Sequence, residues 1–289
     1  MTFDSFIDAA WNDHGDHPRE VADRLAASLA LVAAPAQVAP FARLVTHVYG
    51  EHLGEWAAGI ALLESLRKAA GADAGREAAG SIDRGVATLR YAGGDGEAIA
   101  ALAVDDRAAV LAKAASIFGA REDFTRALAA YAAATQIAAE GLPAGSPAIR
   151  ALAVAGNNLA AGLEEKPDRS AAETAGMVHA AECGHTYWTL AGTWLEEERA
   201  LHRLARSLLA AGEPERAVAR AKHCIDVCER NDAPPFERFF GHAALAIAQR
   251  AAGDRNGFLV SREHAFELHR QIPAGDRTWC DADLSRLAD

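Results

Sequence analysis

The sequence predicts an all-α solenoid of about seven antiparallel helical hairpins, and three observations carry that reading. Alanine, the best helix former, is the commonest residue, while strand-length runs of β-branched residues are absent. Glycine and proline fall almost wholly between stretches of helical periodicity. One hairpin is legible outright in Leu201–Glu229. Leu201, Leu204, Ala205 and Leu208 make one helical stripe, Gly212 stops it, Pro214 opens the next helix, and Ala217, Ala221 and Cys224 resume the stripe. Neither helix can bury such a stripe by itself, so the two pair and each pair stacks on its neighbours.

The other elements follow in chain order. A first pair runs from Phe3 to Trp11, turns through His14–His17 and restarts at Pro18 with Val21, Leu25 and Leu29. A second follows Pro40, where Phe41, Leu44 and Val48 lead to a turn at Gly54 and Trp56, Ile60 and Leu63 return. Gly71–Gly80 reads as a loose link, and a short third pair surrounds Gly93-Gly94-Asp95. The fourth has Leu111, Ala115 and Phe118, a turn near Glu122, then Phe124, Ala127, Leu128, Tyr131 and Ala134. Ser146-Pro147, an N-cap and first-turn proline, opens the fifth, which carries Leu152, Leu159 and Leu163 and returns through Ala172, Gly176 and His179. After the Leu201–Glu229 pair, a seventh has Phe239, Leu245 and Ala246, a Gly253-Asp254 junction and a return from Phe258 to Leu268. Trp279, Leu284 and Leu287, beyond Pro273, read as a terminal cap.

Ala115, Ala160 and Ala205 recur every 45 residues, and each has an alanine twelve positions on, at Ala127, Ala172 and Ala217. The stretches Leu111–Ala134 and Leu201–Cys224, LAKAASIFGAREDFTRALAAYAAA and LHRLARSLLAAGEPERAVARAKHC, resemble tetratricopeptide repeats. The interval is longer than the ~34 residues of that family, which implies longer helices or links. The resemblance implies a right-handed superhelix over a single domain, 1–289. Its best repeats would lie in 106–270, weaker ones in 1–105, and a cap in 273–289. It also implies a non-catalytic scaffold that holds a peptide, a protein or a small anionic ligand in a concave groove lined by the first helix of each pair.

The formal net charge of −11 disfavours nucleic acid and anionic membranes as partners. No apolar run reaches the ~18 residues a membrane span needs. An acidic N-terminal stretch unlike a signal peptide, together with four cysteines in no secreted-scaffold spacing, points to the cytoplasm. Catalytic signatures are missing: there is no phosphate loop, no H-E-x-x-H and no G-x-S-x-G. No cofactor is expected.

Candidate ligand-binding residues come from the first-helix faces that point away from each pair's own core. They are Arg150, Asn157 and Glu164 on the fifth pair, Arg199, His202 and Arg206 on the sixth, and Phe240 and Ile247, beside Phe236, on the seventh. Arginines beside an apolar floor suit a carboxylate-bearing, acidic partner. Between two arginines, His202 is expected to stay neutral. The alternative is an enzyme or metal-dependent sensor built on the histidine and cysteine residues of the fifth and sixth pairs. His179 and Cys183 are i, i+4 on one helix and Cys224 and Cys228 are i, i+4 on the next, with His185, His202 and His223 nearby. Thiolates and imidazole bind zinc, but buried cysteine also serves as a small apolar residue, which is the expected role here.

Overall fold

The computed structural model describes residues 1–70 and 75–288, and every regular element among them is helical. The chain divides into two compact units, Met1–Ala151 and Leu152–Asp289.

In the N-terminal unit, α1 (Phe3–Asp13) and α2 (Pro18–Ala27) form the expected first pair. The Thr2 hydroxyl accepts from the Ser5 amide at the start of α1, and Phe6 stacks on Phe41 with ring centres 6.4 Å apart. Helix α3 (Pro35–His47) begins a turn earlier than the proline rule at Pro40 suggested. Pro35 takes the first-turn position, and Gln37 Oε1 accepts from the Ala33 and Ala34 amides at 2.8 and 3.0 Å, which leaves Pro40 inside the helix. Helix α3 continues directly into a π-helical turn, Val48–Leu53, which ends at Gly54 with φ +67°. Gly50 lets that turn lie close to Ile117: a Cβ there would come 2.6 Å from Ile117 Cδ1.

Helices α4 (Trp56–Ala70) and α5 (Gly75–Ala92) come next. Helix α5 is 18 residues long, so the glycine- and alanine-rich stretch is largely helix and only 71–74 of it lie outside the described residues. Its length corrects the reading of a short third pair: alanine content outweighs the glycines, and Ile82 and Leu89 are fully buried. The fourth pair is α6 (Val104–Ala120) and α7 (Phe124–Ala139), turned at Glu122 with φ +60° and capped by Asp123, whose carboxylate accepts from the Arg126 amide.

Helix α8 (Pro147–Glu165) carries the Ser146 cap and runs into the C-terminal unit. There follow α9 (Ala171–Ala191), α10 (Trp194–Ala210), α11 (Pro214–Arg230), α12 (Pro235–Ala251), α13 (Arg255–Gln271) and the short α14 (Asp281–Leu287). Ser170 with Glu173, and Thr193 with Glu196, form capping boxes on α9 and α10. The pair α10–α11 closes as read from sequence, with Ala205, Ala217 and Ala221 wholly buried. The twelve-residue rule fails on α9, where Ala172 is exposed in the first turn. The close approach there is made further along, where a Cβ on Gly184 would lie 3.0 Å from the Asn157 amide nitrogen on α8. Phe258, which stands where repeats prefer alanine, is absorbed into the terminal core with Phe239, Leu268 and Ile272. Of the expected cap, Leu284 and Leu287 pack on that core, whereas Trp279 is 72% exposed.

Enlarging a wholly buried contact alanine forces the two helices apart. Ala205→Leu and Ala217→Leu are each expected to destabilise by about 1–3 kcal/mol in urea unfolding. Neutral behaviour at both would mean that these alanines do not set the helix spacing.

Candidate functional site

The strip of first-helix residues on α8, α10 and α12 is built around two buried carboxylates in the C-terminal unit. The Glu164 side chain, only 6% exposed, accepts from Arg203 Nη1 at 2.6 Å and from the Ser207 hydroxyl at 3.0 Å. Arg206 Nε lies 3.2 Å from the same carboxylate. Glu237, at the start of α12 and 8% exposed, takes a two-pronged contact from Arg199, Nη2 to Oε1 at 2.5 Å and Nε to Oε2 at 3.3 Å. Each carboxylate is therefore satisfied by arginine, and Arg203 and Arg206 are mostly buried beside Glu164. Arg199, by contrast, is 58% exposed and keeps donors toward solvent.

His202 sits between these arginines, 5.5 Å ring to ring from Phe240. Burial, then Arg206, Arg203 and Arg286, push its pKa down to about 3, so the imidazole is neutral. Phe236, Phe240 and Ile247 pack against the core that Leu287 joins, together with Leu284. The chain's own α14 thus contributes to covering the apolar part of this face. Arg250 fixes the segment by donating to the Arg286 carbonyl at 2.7 Å. Asn157 lies on α8 where Gly184 approaches the backbone. Arg150 is exposed and belongs to the N-terminal unit, where it and burial lower the Arg43 pKa, burial being the larger cause.

Three members of the strip are absent from the sequence-derived set. Arg203 falls between Arg199 and Arg206 at four- and three-residue spacing, a signal that was available. Glu237 and Arg286 gave none, because only the packing of α12 and α14 brings them to α10.

The cysteine residues assort differently from the proposed zinc set. Cys183 Sγ lies 3.6 Å from His179 Nε2 on α9. Cys224 and Cys228 instead meet Glu198, with Cys224 Sγ 3.3 Å from Glu198 Oε1 and all three residues buried. Among the described residues, the groups of three or more ligand atoms within 4.8 Å of one another do not join the His179–Cys183 pair to the Cys224–Cys228 pair. Glu198 is only 1% exposed. Burial, then Cys228 and Glu237, push its carboxyl up to about 9, so it is protonated at neutral pH.

No protein-family model matches the chain, and no curated protein matches it. Solved structures do. A Podosopora anserina protein with nearly identical TPR-like repeats, described as a kinesin light chain, is similar at a TM-score of 0.51 and 15% identity, over 82% of this chain and 96% of that one. BtubC (BKLC) from P. vanneervenii is similar at a TM-score of 0.49 and 15% identity, over 93% and 92%. Together with the stacked helical pairs, the first of these gives the chain a TPR-like helical-repeat fold. None of the described helices is long and apolar enough to cross a membrane.

A neutral Glu198 has a consequence for stability. Between the ordinary carboxylate value of 4.5 and about 9, the folded state holds a proton that the unfolded state has released. Stability therefore falls as pH rises through that window. Glu198→Gln, which keeps the shape without the titration, is expected to flatten this slope and to be more stable than the parent at pH 9. Urea midpoints at pH 6 and pH 9 check it, and an unchanged slope would mean that Glu198 is ionised.

Proposed function

We propose that the chain is a non-catalytic interaction module that holds an acidic peptide segment of a protein partner, or a small anionic ligand, against the α8–α10–α12 face. The observation that supports this reading is the arginine strip. Three arginines, Arg199, Arg203 and Arg206, pair with two buried carboxylates, Glu164 and Glu237, and a fourth, Arg286, is near enough to lower the His202 pKa. On a chain with a formal net charge of −11, that local excess of positive charge is unusual. The carboxylates fix the guanidinium planes, and a fork already oriented loses less freedom when it meets a second carboxylate. Neutral His202 adds a polar group without like-charge repulsion. Phe240 and Ile247 form the apolar side by seating α14, which brings Arg286 to the strip. Asn157 extends the face along α8, and Arg150, which belongs to the N-terminal unit, is not counted in it. A general role in protein interaction in a reduced cytoplasm is also in keeping with the TPR-like fold and with four free cysteines.

Fluorescence polarisation against a library of acidic peptides tests the reading. Arg199→Ala and Arg206→Ala are each expected to weaken the best-binding peptide about 10–100-fold, as for loss of a charge-assisted hydrogen bond worth ~1.5–3 kcal/mol. Arg206→Ala should leave the melting temperature nearly unchanged, because Arg203 and Ser207 still meet Glu164, whereas Arg199→Ala should also lower it by leaving buried Glu237 without its cation. Phe240→Ala is expected to weaken binding and also to lower the melting temperature, since it unseats α14. Peptide binding indifferent to both arginine substitutions would refute the site.

A further inference from the structure

The N-terminal unit holds a cluster of histidines that the strip above does not use. His14 caps the end of α1, His47 ends α3, and His52 lies in the π-helical turn that follows. One ring nitrogen of each lies within 4.8 Å of those of the other two. The three ring centres are 4.8, 4.9 and 5.1 Å apart, with interplanar angles of 61°, 81° and 86°. His47 Nε2 and His52 Nε2 face each other at 3.2 Å.

The wide turn makes this possible. On an ordinary α-helix, at ~100° per residue, the fifth residue on from His47 would point about 140° away. A turn closed by i to i+5 hydrogen bonds brings it back over the start, and such turns are frequent at functional sites. The same turn leaves Glu51 beside His47, so the imidazole has a carboxylate on one nitrogen and a second imidazole on the other. Gly50, packed against Ile117, lets the turn lie close to α6.

The protons are already directed. His47 Nδ1 is 2.9 Å from Glu51 Oε1, and the buried Glu51 carboxylate also accepts from Lys113 Nζ at 2.8 Å. His14 Nδ1 lies 2.5 Å from the Trp11 carbonyl and donates to it. Both rings are thus oriented through Nδ1, which leaves Nε2 as the ligating nitrogen. A carboxylate or carbonyl behind each imidazole is how metal-ligating histidines are oriented.

The distances fit a known coordination sphere. With zinc–nitrogen bonds of ~2.0–2.1 Å, two tetrahedral ligands lie about 3.3 Å apart, close to the separation across His47 and His52. We propose that His14, His47 and His52 form a binding site for a divalent transition-metal ion of the zinc class, held by three imidazole nitrogens with a fourth position left for water. Binding needs His52 to carry its proton on Nδ1, a tautomer exchange with no net release. All-imidazole ligation suits zinc, copper and nickel over calcium or magnesium.

The full chain, stripped with chelator and exchanged into metal-free buffer, is titrated with Co²⁺ alone and then with Zn²⁺. One Co²⁺ per chain is expected, with the visible absorption of a four-coordinate ion, displaced by Zn²⁺. His14→Ala and His52→Gln should each lose affinity on the order of 100-fold or more, and Glu51→Gln about 10–100-fold. His17→Ala, at an exposed histidine nearby, should bind as the parent does. Circular dichroism in chelator confirms that each variant is folded, and the two ligand substitutions on different helices guard against the failure of either one. The proposal is overturned if Co²⁺ produces no saturable visible bands, or if His14→Ala and His52→Gln bind as tightly as the parent. A thiolate-to-metal band abolished by Cys224→Ser would also overturn it, by placing the ion at Glu198, Cys224 and Cys228.

Discussion

Close approach of helices through alanine is the constraint on which the rest of this structure depends. Each pair is thin, and an alanine-lined stripe offers little apolar area, so the gain comes from bringing backbones near enough that many small contacts add up. Ala115, Ala160, Ala205, Ala217 and Ala246 are all wholly buried. Where a second helix must come closer still, glycine replaces alanine, as Gly184 does against α8. Larger side chains fill the space between these close contacts, Phe6, Phe41 and Tyr131 in the N-terminal unit and Phe239 in the C-terminal one.

That constraint also explains where the charges went. Helices this close leave few positions for a charged group except the stripes between pairs, and a carboxylate placed there must be met by a cation or keep its proton. Glu51 and Glu164 are met, by Lys113 with His47 and by Arg203 with Arg206. Glu237 is met by Arg199, and Glu198 next to it keeps its proton. The two buried carboxylates at the α10–α12 contact are thus accommodated differently, Glu237 by a guanidinium and Glu198 by its own proton.

The hairpins were legible in the sequence because a helical stripe, a positive-φ glycine and a first-turn proline are local signals, all present from Leu201 to Glu229. So were the N-caps at Ser146 and Asp254. The arginines of α10 were legible as a face, though not as partners of Glu164 and Glu237, since ion pairing between helices depends on their rotation against one another. Ala172 shows the limit of counting: a repeat interval fixes which residues correspond only if each helix starts in the same phase, and the α9 cap at Ser170 shifts it. The histidine cluster was invisible for a different reason. His47 and His52 have a spacing that places them on different faces of an α-helix, and no local rule announces that the turn between them is wide.

That wide turn differs from an ordinary one by a single residue, which is to say by one codon. It is confined between the end of α3 and Gly54, where the left-handed backbone releases the helix axis before α4 begins. Removing one residue there would restore an ordinary turn, and the buried Val48, Tyr49, Gly50 and Glu51 would have to repack. It would also take either Glu51 or His52 away from His47. Scaffold and histidine cluster are therefore inherited together: the smallest in-frame change in gene length at this turn moves both the three imidazoles and the core residues that seat the turn.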